Sequence, residues 1–146
     1  MMDRIDSVDE ILEYAIAREV EANQLYTYMA KRMENPEMSK VCEEFAKEEL
    51  EHKAKLELEV MKRGQVVSDF DISDYMMDVG NEMDMDYEEL LVFAIKKEEI
   101  SVSLYTDLAA VVKDKESRET LLSLAQEETE HKLRFETEYR GLLTAD

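Results

Sequence analysis

The tetrapeptide Glu49-Leu50-Glu51-His52 recurs as Glu128-Thr129-Glu130-His131, 79 residues later in a chain of 146 residues. The two copies contain both histidines of the chain. Each copy places a carboxylate and an imidazole three residues apart, which puts them on the same face of a helix, one turn from each other. Because the pattern occurs twice, it indicates a metal site with two similar halves.

The repeat extends over most of the chain. The same offset matches Glu19 with Glu98 and Tyr26 with Tyr105, without a gap. We therefore interpret the sequence as an internal duplication within one domain. The predicted boundaries are about 7–63 for the first repeat, about 64–85 for a connection, and about 86–142 for the second repeat, within a single domain of residues 1–146.

The composition favours helix almost throughout. The chain has three glycines, one proline and 45% hydrophobic residues, and it is rich in residues with high helix propensity. The hydrophobic periodicity predicts four helices, at about 8–34, 37–63, 86–113 and 116–140. The connection is much longer than a hairpin turn needs, so we expect it to cross over along the bundle. The single cysteine, Cys42, falls on a buried stripe and is expected in the core.

Charge and targeting signals restrict the partners. The formal net charge is −19, which argues against nucleic acid or an anionic membrane as a partner, because both require clustered Lys and Arg. No segment is apolar enough to span a membrane, and the acidic start lacks the features of a signal peptide, so a cytoplasmic location is expected. Cations are the partners that this charge favours.

A few acidic residues occupy positions where apolar residues are expected. One carboxylate interrupts the apolar stripe of each predicted helix near its middle. Glu19 lies 16 residues before Asn35 and Glu49 lies 14 after it, so a hairpin that turns at Asn35 brings them side by side. By the internal repeat, the second hairpin is expected to bring Glu98 and Glu128 side by side in the same way. We therefore expect four carboxylates and both histidines to converge at one level of the bundle.

Such a cluster requires positive charge. Buried carboxylates in contact repel one another and lose several kcal/mol of hydration each, even after relaxation. The four stripes contain no Lys or Arg, so protonation or bound cations must provide the compensation. Two divalent ions would balance four carboxylates. Glutamate oxygen combined with imidazole nitrogen favours iron, manganese or zinc over calcium and magnesium.

One Glu from each of two helices and Glu-x-x-His from each of the other two is the ligand pattern of ferritin-like di-iron carboxylate bundles. The sequence resembles the rubrerythrin branch of that superfamily, through the stretches 19–26 and 48–52 and their repeats 98–105 and 127–131. The resemblance implies an all-α, ferritin-like four-helix bundle made of two repeated helical hairpins joined by a long crossover. It also implies two iron ions as the cofactor.

The resemblance assigns a role to each candidate residue. Glu19 and Glu98 would be terminal ligands, Glu49 and Glu128 would bridge the metals, His52 and His131 would each bind one metal, and Tyr26 and Tyr105 would donate hydrogen bonds to the ligands. For the two tyrosines, simple core packing is an equally good interpretation.

Two departures from the family pattern matter. Full-length rubrerythrins carry a rubredoxin-like iron domain with paired Cys-x-x-Cys motifs, which a single cysteine cannot form, so a separate electron-donor protein is expected. Rubrerythrins also commonly place an extra carboxylate one turn after the third-helix ligand. This chain has Ser101 there, which predicts a more symmetric site.

The leading functional hypothesis is an oxidoreductase that reduces peroxide or oxygen with electrons from an external donor, a peroxidase activity of the kind that counters oxidative stress. The first alternative is ferritin-like iron binding and storage, or ferroxidase activity without turnover. The second is a metal-stabilised structural or regulatory bundle. The resemblance also implies a homodimer or another homo-oligomer.

Overall fold

The computed structural model describes residues 4–62, 66–77 and 82–144. It confirms the predicted four helices, with ends within four residues of the predicted ones. The elements are β1 (Arg4–Ser7), α1 (Val8–Arg32), α2 (Pro36–Val60), β2 (Val66–Asp71), two short 3-10 helices (Ile72–Tyr75 and Glu82–Asp84), α3 (Tyr87–Val111) and α4 (Lys115–Thr144). Among the described residues, no helix combines the length and the apolar character needed to cross a bilayer.

Side-chain caps fix where the helices begin. The Asn35 side chain accepts a hydrogen bond of 2.9 Å from the Glu37 backbone N–H, and Pro36 occupies the first position of α2, where its missing N–H does no harm. Asp86 and Glu89 form a reciprocal capping box at the start of α3. These caps set the register of the hairpins and hence the height of the interior polar residues.

The helices form two hairpins, α1 with α2 and α3 with α4, and the hairpins pack with α1 beside α3 and α2 beside α4. The apolar core consists of two clusters. One joins the start of α1 to the ends of α2 and α3, for example Ile11, Leu56 and Leu108. The other contains residues such as Met29 and Leu90, together with the buried Cys42.

The positions of these clusters require a crossover. The end of α2 lies in one cluster and the start of α3 in the other, at opposite ends of the bundle. The connection at 64–85 therefore has to run the length of the bundle. The structure describes 66–77 and 82–85 of it, and the rest lies outside the described residues.

The crossover is tied to the bundle by a small sheet that the sequence analysis did not predict. β1 and β2 pair antiparallel, with Ile5 opposite Phe70. Beyond the sheet, the Tyr75 hydroxyl donates to Asp107 Oδ2 at 2.6 Å, and the Tyr14 hydroxyl donates to the Tyr75 carbonyl at 3.2 Å. These contacts hold the start of the crossover against α1 and α3.

Candidate metal centre

All six predicted ligands meet in one layer between the two apolar clusters. No member is more than 2% exposed. They come from all four helices, one carboxylate from each and one histidine from each of α2 and α4. The members are Glu19, Glu49, His52, Glu98, Glu128 and His131. The structure thus confirms the predicted convergence at one level.

The six residues divide into two overlapping groups of possible metal ligands. Glu19 and His52 belong to one group, Glu98 and His131 to the other, and Glu49 and Glu128 to both. Within each group, one ligand atom per residue lies within 4.8 Å of all the others. This overlap is the arrangement that two bridging carboxylates and two terminal carboxylates produce.

The Nδ1 atom of each histidine faces three carboxylates. His52 Nδ1 lies 3.3 Å from Glu49 Oε1, and 3.6 Å from both Glu19 Oε1 and Glu128 Oε2. His131 Nδ1 lies 3.2 Å from Glu98 Oε2, 3.3 Å from Glu128 Oε1 and 3.5 Å from Glu49 Oε1. Ligands about 2.1 Å from a common ion are roughly 3.0–3.4 Å apart at ordinary coordination angles. The observed spacings are close to that range.

The two shared carboxylates differ in orientation. Glu128 turns Oε2 toward His52 and Oε1 toward His131, so it offers one oxygen to each group. Glu49 turns the same oxygen, Oε1, toward both histidines. The bridging positions are therefore not equivalent, although the repeat makes them equivalent in sequence.

Several buried polar atoms of the layer lack a hydrogen-bond partner. They are Glu19 Oε1, Glu49 Oε1, His52 Nδ1 and both carboxylate oxygens of Glu128. Each unsatisfied buried polar atom destabilises a fold by about 1–3 kcal/mol, and a charged one by more. These atoms belong to the two ligand groups, so bound cations would satisfy them together. The donor set fits a pair of first-row divalent metals.

Burial and mutual repulsion shift the pKa values of the carboxylates. Burial, followed by the charge of Glu128, raises the pKa of Glu19 to about 7 and that of Glu98 to about 8. Burial and the surrounding carboxylates also raise the pKa of Glu49 well above its usual range. Burial works in the same direction at Glu128, but the attraction of the two nearby histidines outweighs it and lowers the pKa of that carboxyl.

The histidines compensate part of this negative charge. Burial opposes protonation of His131, but Glu128 and Glu98 outweigh it and raise the pKa of His131 to about 10. At His52, too, burial opposes protonation, but the nearby carboxylates of Glu128, Glu19 and Glu49 outweigh it and raise the pKa strongly. Without metal, protons on the imidazoles and on some carboxylates neutralise the layer, so a metal that binds there has to displace them.

Two buried tyrosines connect the hairpins through hydrogen bonds to the predicted terminal carboxylates. The Tyr26 hydroxyl on α1 donates to Glu98 Oε2 on α3 at 2.5 Å. In the mirror arrangement, the Tyr105 hydroxyl on α3 donates to Glu19 Oε2 on α1. Each tyrosine thus orients the carboxylate of the other hairpin, a cross-connection that the sequence did not reveal.

Sequence reasoning missed two further carboxylates. Glu127 Oε1 lies 3.0 Å from His52 Nε2, and Glu48 Oε1 lies 2.7 Å from His131 Nε2. A carboxylate on Nε2 favours the tautomer with its proton there, which leaves Nδ1 free to bind metal. The signal was the doubled Glu-Glu before each Leu/Thr-Glu-His, present in both repeats.

The surroundings of the centre are less symmetric than its ligands. The Phe45 ring stacks on His131, with centroids 4.0 Å apart and planes at 23°. The repeat places Leu124 at the position equivalent to Phe45, so His52 has no matching aromatic neighbour from the repeat. The two halves therefore differ in the apolar cover of their histidines.

A cavity of about 430 Å³ lies between α1 and α3 and is lined in part by residues of the ligand layer. Its inner end contacts the buried Tyr26, Glu49 and Glu98. Its walls include Ala22 and Ser101, small residues one turn after the terminal carboxylates and equivalent in the repeat. The cavity therefore brings open space close to the ligand layer, whose members stay buried.

Comparisons with known proteins agree with this geometry. A family model described as Rubrerythrin matches residues 10–85, more than half of the chain. The chain belongs to the rubrerythrin family. The matched segment contains nearly all of α1, the whole of α2 and the whole 64–85 connection. Glu98, Glu128 and His131 lie outside it, and their assignment rests on the internal repeat and on the structure.

Two solved structures of relatives match the fold of this chain over nearly its whole length. A hypothetical protein from Pyrococcus furiosus is 26% identical, with a TM-score of 0.76 over 94% of this chain and 90% of that one. A protein from Thermotoga maritima, described as a ferritin-like diiron-carboxylate protein, is 20% identical, with a TM-score of 0.78 over 96% and 98%. The rubrerythrin-family chain thus has the ferritin-like fold. A search of curated proteins found no match.

Proposed function

We propose that the protein is a di-iron oxidoreductase that reduces peroxide, or oxygen, with electrons from a separate donor protein. The observation that carries this proposal is the pair of ligand groups that share Glu49 and Glu128. Each group combines three carboxylates with one imidazole, and the four carboxylates balance the charge of two divalent ions. Membership of the rubrerythrin family supports iron as the metal.

When bound, two iron ions supply the two electrons that reduction of one peroxide requires. The protein residues hold and shield the centre. Glu19 and Glu98 keep their orientation through Tyr105 and Tyr26. The apolar clusters above and below the layer exclude bulk water, which strengthens every electrostatic interaction inside. The cavity between α1 and α3 admits the oxidant from one side.

The first test is the metal content of protein produced with iron available, measured by mass spectrometry. We expect about two iron ions per chain, and a loss of at least one in the variants Glu49→Ala and His131→Ala. Glu51→Ala is a matched control, because Glu51 is an exposed carboxylate on the same helix, two residues from Glu49. Less than half an ion of any metal per chain would contradict the proposal.

The second test is turnover. Iron-loaded protein is mixed with hydrogen peroxide and an excess of a small-molecule reductant, and peroxide loss is followed over time. We expect many peroxides to be consumed per centre, at a rate that falls at least tenfold in Glu49→Ala. Consumption that stops after one peroxide per two irons would instead indicate iron binding without turnover, the ferritin-like alternative.

A further inference from the structure

We infer that the oxidant of this centre is an organic hydroperoxide with an apolar body, held in the cavity between α1 and α3. This inference deepens the proposed peroxidase function and rests on it. It concerns the chemical class of the substrate. Four features of the cavity carry it: its size, its lining, the charge balance at its entrance and the small residues in its walls.

The size of the cavity exceeds what hydrogen peroxide or oxygen needs. A water-sized molecule requires only about 10–15 Å³ of such space, whereas this cavity measures about 430 Å³. Sites for small organic molecules are usually about 300–1,000 Å³. The cavity therefore has room for a molecule of that class with one end at the centre.

The lining changes from polar at the inner end to largely apolar along the walls. The inner end is lined by three buried polar residues, Tyr26, Glu49 and Glu98. Apolar and aromatic side chains line the walls, including Leu25, Phe93, Ile100, Leu104 and Met77. A hydroperoxide has the matching polarity, because its –OOH group is polar and its organic body is apolar. The –OOH end would point toward the metal ligands.

Among the residues that the structure describes, the charges around the cavity entrance balance one another. Arg18 and Lys97 both form ion pairs with Glu21, the latter at 3.4 Å, and Glu82 contributes a second carboxylate. These four lining residues sum to zero net charge at neutral pH. The entrance therefore favours an uncharged organic molecule over a long-chain carboxylate, which would need an unpaired cation.

Two small side chains provide the space next to the ligands. Ala22 follows Glu19 by three residues, and Ser101 follows Glu98 by three, so each lies one helical turn beyond a terminal carboxylate and lines the cavity. A larger side chain at either position would reduce the space beside the inner end. Ser101→Leu and Ala22→Leu are thus direct tests of the cavity.

The reaction balances without any additional reactant. The O–O bond of ROOH breaks, two electrons and two protons are taken up, and the products are the alcohol ROH and water. The electrons come from the donor protein of the proposed function, or from a small-molecule reductant in its place. The protons come from water through the cavity. The apolar body leaves as the alcohol, which is itself a ligand for the cavity.

The first experiment measures binding without redox chemistry. Protein loaded with zinc is titrated with 2-phenyl-2-propanol, the alcohol product of cumene hydroperoxide, by calorimetry. We expect one binding site per chain, with affinity reduced at least tenfold in Ser101→Leu and in Ala22→Leu. The matched controls are Ser103→Leu and Ala17→Leu, exposed positions on the same two helices, and they should bind as the unmodified protein does. Absence of binding to a folded protein would overturn the inference.

The second experiment compares two oxidants. Reduced, iron-loaded protein is mixed rapidly with cumene hydroperoxide or with hydrogen peroxide, and its oxidation is followed by absorbance. We expect Ser101→Leu to slow oxidation by cumene hydroperoxide at least tenfold and oxidation by hydrogen peroxide less than threefold. A centre that hydrogen peroxide oxidises but cumene hydroperoxide does not would overturn this inference alone. A centre that neither oxidises would overturn the proposed function, and this inference with it.

Discussion

Tyr26 on the first hairpin donates its phenolic hydrogen bond to Glu98 on the second, at 2.5 Å, in an environment that excludes solvent from both side chains. Tyr105 returns the same bond to Glu19. Each half of the duplicated chain therefore donates a hydrogen bond to a candidate ligand of the other half. The tyrosines would influence a bound metal through the carboxylates that they orient.

Tyr26→Phe should weaken metal binding and the fold together. Removal of the hydroxyl leaves Glu98 Oε2 without its tyrosine donor, which we expect to lower the free energy of unfolding by about 1–3 kcal/mol. Loss of a group that orients a ligand typically lowers metal affinity about 10- to 100-fold. Zinc titration and thermal unfolding would measure the two effects. Tyr87→Phe is the control, since Tyr87 donates to Glu138 away from the centre, and it should leave zinc affinity unchanged.

Glu127→Ala and Glu48→Ala should each lower the affinity for metal by about 10- to 100-fold, because the partner histidine loses the carboxylate that fixes its tautomer. Competition with a chromophoric chelator would measure the change. Glu51→Ala and Glu130→Ala alter the exposed carboxylates three residues further along each helix. Equal losses in all four variants would mean that general surface charge, and not histidine orientation, controls the affinity.

Metal-free protein should become less stable as the pH rises from about 5 to 9. The pKa values of Glu19 and Glu98 are raised to about 7 and about 8, and that of His131 to about 10. The folded state therefore holds more protons than the unfolded chain over this range, so its stability decreases with increasing pH. Thermal unfolding at several pH values, in the presence of a chelator, would show this. A melting temperature that rises toward pH 9 would contradict the assigned shifts.

Metal should reverse that trend. Its ligands have to lose their protons, so apparent affinity increases with pH, and saturating metal should stabilise the protein more at pH 8 than at pH 5. The same unfolding series with zinc in excess provides the comparison.

Asp86→Ala should destabilise the bundle without affecting the centre. It removes the capping box of α3, which we expect to lower the free energy of unfolding by about 1 kcal/mol. For a chain of this length that corresponds to a decrease of roughly 2–6 °C in melting temperature. Metal content should be unchanged. Glu88→Ala, an exposed neighbour in the first helical turn, is the matched control and should have a smaller effect.

The sequence was sufficient to predict the ligand layer because each of its members interrupts an apolar stripe at helical spacing. Glu19 and Glu49 could be set at one height by counting from Asn35, and the repeat extended the result to the other hairpin. The prediction needed only the helical spacing of the apolar stripes and the position of one turn. Both can be recognised in a single sequence.

The sequence was not sufficient for features that depend on how two distant segments meet. The pairing of β1 with β2 joins a four-residue strand to one about 60 residues away, and segments that short carry no distinctive pattern. The same limit applies to Glu48 and Glu127. They lie one residue before a ligand, on a different face of the helix, and only the packing of α2 against α4 shows that they reach a histidine.

The two carboxylates shared by both ligand groups have a consequence for how the centre would fill. An ion bound by one group would already hold Glu49 and Glu128 in place and remove part of their repulsion, so a second ion would meet ligands that no longer need to be ordered. Occupancy would then be cooperative. In a titration with metal, chains with none and chains with two would dominate, and chains with a single ion would be scarce.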